Sequence, residues 1–124
     1  MQGYVNVDFS RALSIVGVVG EPGRGHIIAE ARFIKDQKRP LADVAFVVDE
    51  QYQGMGIATH MYKMLIRLAR ERGIQGLTAD VLASNKGMMK VFEKEGSTVT
   101  AKLDYGVYHL TIPFDAEQTA IKPE

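Results

Sequence analysis

The stretch that most constrains the fold is the handover within residues 42–72. There the apolar run "ADVAFVV" meets "DEQYQGMG" and then a strongly patterned segment beginning at Ile57. Residues 42–48 are short, apolar and valine-rich, the composition of a buried strand. Ile57, Ala58, Met61, Met64, Leu65, Leu68 and Ala69 follow the i, i+4, i+7, i+8 spacing of a helix with one face on a core. Lys63, Arg67, Arg70 and Arg72 fall on other faces, and Gly73 suits the position just past a helix end. Strand, glycine loop and amphipathic helix in direct succession predict an α/β domain.

The flanking segments extend the same plan. Residues 12–19, "ALSIVGVV", predict a strand, and "GEPGRG" a turn. Residues 26–34 alternate Ala29, Ala31 and Phe33 against Glu30 and Arg32, so one face is buried and the other polar. "GLTADVL" is a further strand. "SNKGMMKVFEKEG" predicts a shorter helix, opened by Ser84 or Asn85 and closed by Gly96. Residues 97–103 and 107–113 predict a terminal hairpin. The expected order is β-β-β-α-β-α-β-β in one domain over residues 1–114, followed by a polar tail at 115–124. A chain of 124 residues supports one such core and not two.

Composition narrows the function classes. Fifteen basic and fifteen acidic residues cancel, so no bulk attraction to nucleic acid or anionic lipid is expected. Lys63, Arg67 and Arg70 follow helical spacing with no aromatic stacking platform, which argues against nucleic-acid binding. No cysteine is present, which excludes disulfides, thiolate metal sites and a cysteine nucleophile and suits a reducing cytoplasm. His26, His60 and His109 have no metal-ligand spacing, so no metal is expected. The longest apolar runs are too short for a membrane span, and "MQGYVNVDFSR" lacks the regions of a signal peptide. A cytoplasmic protein without membrane association is expected.

The glycine loop carries the chemistry. A helix N-terminus leaves its first amides without partners and bears about half a positive charge, so phosphate oxygens suit it. Gly54, Gly56 and Ala58 would let a diphosphate approach several amides, with Gln53 adding a polar contact. The alternative is a tight turn whose glycines only relieve crowding. The loop is neither a Walker loop nor a Rossmann G-x-G-x-x-G.

"QGMGIA" resembles the Q/R-x-x-G-x-G/A loop of the GNAT superfamily of N-acetyltransferases, and "SNKGMMKVFEKEG" resembles that family's N-x-x-A-x-x-x-Y-E-K-x-G segment. The strong match covers about residues 42–96, and a weaker one runs from Tyr4 to Phe114. The resemblance implies a GNAT fold, a mixed twisted sheet with two helices, and acetyl-CoA as cosubstrate. It further implies that backbone groups of Phe46, Val47 and Val48 pair with the pantetheine arm, with an amide near Val47 polarising the thioester carbonyl. The amides of Met55, Gly56, Ile57, Ala58 and Thr59 would hold the pyrophosphate, beside Gln53 and Gly54. Asn85 would bond the pantetheine side, or serve only as a helix cap. Within the superfamily, "VDFSRALSIVG" and "EARFIKDQKRPLADVAF" resemble stretches of bacterial Pat-type protein lysine acetyltransferases.

Two departures matter. Phe92 stands where many members have the tyrosine that protonates the leaving thiolate, and a phenyl ring donates no proton. Asp43 stands where Pat-type enzymes have a glutamate base. An amine of pKa about 10.4 must lose a proton before it attacks, so Asp43 is the expected base, directly or through water. Asp49 and Glu50 are weaker candidates. The family's opening strand and two helices are not apparent ahead of residue 12. That predicts a partly open edge at residues 12–19, an uncovered apolar surface and a homodimer. The expected function is acetyl transfer from acetyl-CoA to a primary amine, a protein lysine ahead of a small amine. The rival is a non-catalytic acyl-CoA-binding or interaction module.

Overall fold

The computed structural model describes residues 3–8, 11–20, 24–93 and 98–114. Its strands are β1 (Gly3–Asp8), β2 (Ala12–Val19), β3 (His26–Lys35), β4 (Leu41–Val48), β5 (Gly76–Leu82), β6 (Thr100–Asp104) and β7 (Val107–Pro113). The helices are α1 (Ile57–Glu71) and α2 (Lys86–Glu93). The strands form one sheet in the order β1-β2-β3-β4-β5-β7-β6. Neighbours are antiparallel except β4 and β5, which run parallel because α1 carries the chain back between them.

Both helices pack on one face. The inward residues of the strands follow the alternation legible in the sequence: Leu13 and Ile15 on β2, Ala29, Ala31 and Phe33 on β3, Ala42 and Val44 on β4, Leu77 and Ala79 on β5, Leu110 and Ile112 on β7, all buried. Met61, Tyr62, Leu65, Leu68 and Ala69 of α1 close over them. A fully buried aliphatic side chain here contributes about 1.5–3 kcal/mol through its removal from water. The opposite face has no helix against it among the described residues. Ile34, Val47 and Leu82 are each at least half exposed there, beside the hydrogen-bonded pairs Ser14–Glu30 and Thr78–Asp43.

One strand goes beyond the expected order. β1 pairs antiparallel with β2 from Gly3↔Val18 to Asp8↔Leu13, so the edge expected to lie open at residues 12–19 is covered and the sheet edge is β1 itself. Tyr4, Val5 and Val7 favour a strand while Gly3, Asn6 and Asp8 disfavour one, so a stretch of six residues gives a divided signal and the pairing with β2 reveals it. Gly96 and Ser97 lie outside the described residues, as does the tail 115–124, and β6 begins at Thr100.

The feature that positions the site is where β4 and β5 part. Their pairing runs only from Leu41↔Gly76 to Val44↔Ala79. Beyond it, β4 stays with β3 as far as Ala29↔Val48, and β5 stays with β7 as far as Leu82↔Val107. The two parallel strands therefore diverge and leave a notch in the middle of the sheet.

Candidate functional site

Backbone alternation decides which groups face the notch. Asp49 N–H donates to the Ile28 carbonyl (2.7 Å) and Asp36 N–H to the Leu41 carbonyl (2.8 Å). The odd-numbered residues of β4 thus turn their backbone groups to β3. Gln75 N–H donates to the Pro40 carbonyl (2.7 Å), so the even-numbered residues turn theirs to β5. Past the last pair, Val44↔Ala79, the backbone groups of Phe46 and Val48 face the notch. The Val48 carbonyl accepts from Gln53 Nε2 (3.1 Å). What the notch offers is the N–H and C=O of Phe46 and the N–H of Val48. Val47, expected to supply the polarising amide, points its backbone at Glu30, its register partner on β3, and its side chain onto the open face.

The loop beyond β4 delivers the chain to α1. Asp49 caps a short 3-10 turn at Glu50–Tyr52, its carboxylate accepting from Gln51 N–H (2.9 Å). This is a structural task for the residue ranked as a weaker base candidate. Gly54 and Gly56 adopt φ of 81° and 80°, the left-handed region that other residues enter at a cost. A Cβ at either position would meet nothing within 4 Å, so the glycines serve the turn and leave clear space beside it. Gly56 is also the N-cap of α1 and has no capping side chain. The first intrahelical donor is His60 N–H, to the Gly56 carbonyl (3.0 Å), so the amides of Ile57, Ala58 and Thr59 have no acceptor within the helix.

Notch and helix end open into one cavity of about 500 Å³. It brings together Phe46, Val47, Val48, Gln53, Gly54, Gly56, Ile57, Ala58, Thr59 and Asn85. Met55 is outside it and 67% exposed. Asn85 has a defined structural role: its Oδ1 accepts from Met88 N–H (3.1 Å) and its carbonyl from Met89 N–H (3.2 Å), which makes it, and not Ser84, the N-cap of α2. With Oδ1 engaged, the Asn85 amide nitrogen is the end it can offer the cavity. Tyr52, Gly87, Met88, Lys90 and Val91 also line the space and were not singled out in the sequence. The helical spacing of Gly87, Lys90 and Val91 on α2 is the signal that could have found them. Behind the cavity, Phe46, Tyr62 and Phe92 form an edge-to-face cluster with centroids 5.0–6.0 Å apart. Phe92 is 1% exposed and is a core residue.

Asp43 does not line the cavity. It stands on the open face near the closed end of the notch, where its Oδ1 accepts from Thr78 Oγ1 (2.9 Å). His60 packs on the Tyr4 ring at 4.9 Å, and burial raises the Tyr4 phenol above its ordinary pKa. Among the described residues no cluster of three or more His, Asp or Glu side chains is placed to hold a metal, and no helix is long and apolar enough to cross a membrane.

The site has an uncapped helix N-terminus, cleared by glycines, at one end and unpaired strand amides at the other. That fits a ligand with an anionic head and an amide-rich extended arm, which is the chemistry of coenzyme A. Comparison with known proteins points the same way. The family model described as "Acetyltransferase (GNAT) family" matches residues 7–96. The chain is 35% identical over 111 residues to Acetyltransferase Pat of Mycolicibacterium smegmatis, covering 82% of this chain and 33% of that one. It superposes on the GNAT domain of S. lividans PAT with a TM-score of 0.74 at 30% identity, covering 87% of this chain and 64% of that one. A cAMP-binding acyltransferase from Mycobacterium smegmatis gives 0.73 at 29% identity, covering 94% and 36%. The chain thus spans about a third of the mycobacterial relatives and under two thirds of the S. lividans domain.

Proposed function

The chain belongs to the acetyltransferase (GNAT) family, and we propose that it binds acetyl-CoA in the cavity and transfers the acetyl group to a primary amine, a protein lysine ahead of a small amine, in the cytoplasm. One observation carries the reading: the unpaired backbone of Phe46 and Val48 and the uncapped start of α1 meet in the same cavity. The amides of Ile57, Ala58 and Thr59, with Gly54 and Gly56 giving clearance, would hold the pyrophosphate. Phe46 and Val48 would bond the pantetheine arm as a further strand, and the Asn85 amide would add a contact. The cosubstrate supplies a thioester, whose carbonyl an unpaired N–H can polarise. The amide suited to this belongs to Phe46 and not to Val47. Asp43 and the rest of the open face lie on the far side of the notch, where the acceptor would approach. A carboxylate there favours a cationic amine and can draw its proton directly or through water.

A specific observation favours a second reading, acyl-CoA binding without transfer. Phe92 is locked in the aromatic cluster and offers no hydroxyl to the leaving thiolate. A thiol of pKa about 8.5 can leave without that help, so the observation weakens catalysis without excluding it. Acetyl-CoA titration followed by thiol-release assays on lysine peptides and polyamines separates the readings. Binding with turnover supports transfer. Binding with no turnover on any amine supports the second. A homodimer remains proposed, now on the exposed apolar residues of the open face alone, since β1 covers the β2 edge. Light scattering that gives one chain mass at micromolar concentration would remove it.

A further inference from the structure

The open face carries an arrangement that the cofactor side does not use. Asp80 on β5 and His109 on β7 are register partners, with His109 Nδ1 and Asp80 Oδ1 2.6 Å apart. Asp80 lies two residues beyond Thr78, so it shares the face on which Thr78 bonds Asp43. The two pairs differ in height along the notch. Asp43 and Thr78 are still within the paired stretch of β4 and β5. Asp80 comes one residue after the last pair, Val44↔Ala79, where β5 begins to part from β4 and the notch opens.

We propose that the His109–Asp80 pair, in place of Asp43, takes the proton of the attacking amine, with His109 accepting it through a bridging water and Asp80 positioning the ring. The proposal rests on the acetyl-transfer reading. Asp80 at Nδ1 favours the tautomer with Nδ1–H donating to the carboxylate, which leaves the Nε2 lone pair free to take a proton. The side chains are 46% and 68% exposed, so an amine arriving over the open face reaches them without rearrangement of the core. On β6, Lys102 is the register partner of His109, and Asp104, two residues farther along, shares that face. Asp43, across the notch and one row deeper, holds the incoming ammonium by charge.

The step balances. The ammonium passes one proton through the bridging water to His109 Nε2, and the freed lone pair forms the C–N bond at the thioester carbonyl carbon. The C–S bond breaks and its electron pair leaves on sulfur. The second nitrogen-bound proton goes through water to the thiolate, and the imidazolium returns its proton to solvent.

The test uses the full chain, acetyl-CoA and the best acceptor from the lysine-peptide and polyamine panel. His109→Gln is expected to lower kcat about 100-fold at pH 7 while leaving acetyl-CoA binding and melting temperature within error. The deficit should shrink toward pH 10, where more amine arrives neutral. Asp80→Asn should give a smaller fall, carried by kcat with the KM for the amine unchanged, which a merely structural cross-strand pair would not do. If His109→Gln keeps more than half the native rate at pH 7 while Asp43→Asn abolishes it, the base is Asp43 and the proposal is overturned. No turnover by the native chain, with acetyl-CoA still bound, overturns the transfer reading and this proposal with it. The two failures are thus distinct.

Discussion

The two faces of the sheet are built on different principles. The helix face is a continuous apolar layer, and the cavity opens at its margin, made largely of backbone: strand amides without a neighbour and a helix start without a cap. The opposite face presents side chains, with Asp43, Asp80 and His109 set among exposed Ile34, Val47 and Leu82. A backbone site depends on where strands diverge and is insensitive to most side-chain changes. A side-chain site can be altered residue by residue with little effect on the fold.

That contrast orders the expected effects. Leu65 is fully buried on α1, so Leu65→Ala should cost about 2–5 kcal/mol. Val47→Ala on the open face should stay within about 0.5 kcal/mol. Urea melts of both variants would erase the distinction between the faces if the two costs were equal. Ala58→Glu comes next. It places a carboxylate against the proposed pyrophosphate seat at a helical position, without the strain that any replacement of Gly54 or Gly56 at positive φ introduces. Coenzyme A affinity should fall at least tenfold, about 1.4 kcal/mol, with melting temperature nearly unchanged. Calorimetry showing native affinity in the folded variant would remove the seat from α1.

Asn85→Ala tests a residue with a role on both sides of the question. Loss of the α2 cap should cost about 1 kcal/mol. If thermal melts show that cost and coenzyme A affinity does not move, Asn85 is a cap alone. The smallest effect belongs to the surface turn after β3. The Asp36 carboxylate accepts from Lys38 N–H (2.8 Å) and Arg39 N–H (3.1 Å) and meets the Arg39 guanidinium, which together hold its pKa below the ordinary value. A depressed carboxylate stabilises the fold above its unfolded pKa and loses that contribution as pH falls through the folded one. Asp36→Asn should therefore be slightly destabilised at neutral pH, and the gap to the native chain should close in acid. A gap that widens in acid would reverse the assignment.

What was legible in the sequence follows the same division. The α1 stripe, the alternation of β3 and the glycine loop are local periodicities, and the structure has them where the sequence places them. Gly54 and Gly56 could be singled out because positive φ leaves a compositional mark. The resemblance to the GNAT loop gave the cavity its proposed ligand class. Three things were hidden because they depend on pairing between distant segments. β1 is recognised through its partner β2, because its six residues mix strand formers (Tyr4, Val5, Val7) with residues that disfavour strands. Which amides of β4 face the notch depends on the phase of its bonds to β3, which no single strand reveals, and that phase moves the proposed polarising role from Val47 to Phe46. His109 and Asp80 are 29 residues apart and meet only because β5 and β7 are neighbours, so His109 carried no signal alone.

The central claim is that the divergence of β4 and β5 and the uncapped start of α1 form one seat for coenzyme A. Amide chemical shifts of the 15N-labelled chain, followed during titration with coenzyme A, test it most directly. The account predicts large shifts at Phe46, Val48, Ile57, Ala58 and Thr59, with Val47 moving less than either neighbour because its N–H stays bonded to β3. Shifts confined to the open face, or a Val47 shift exceeding those of Phe46 and Val48, would contradict it.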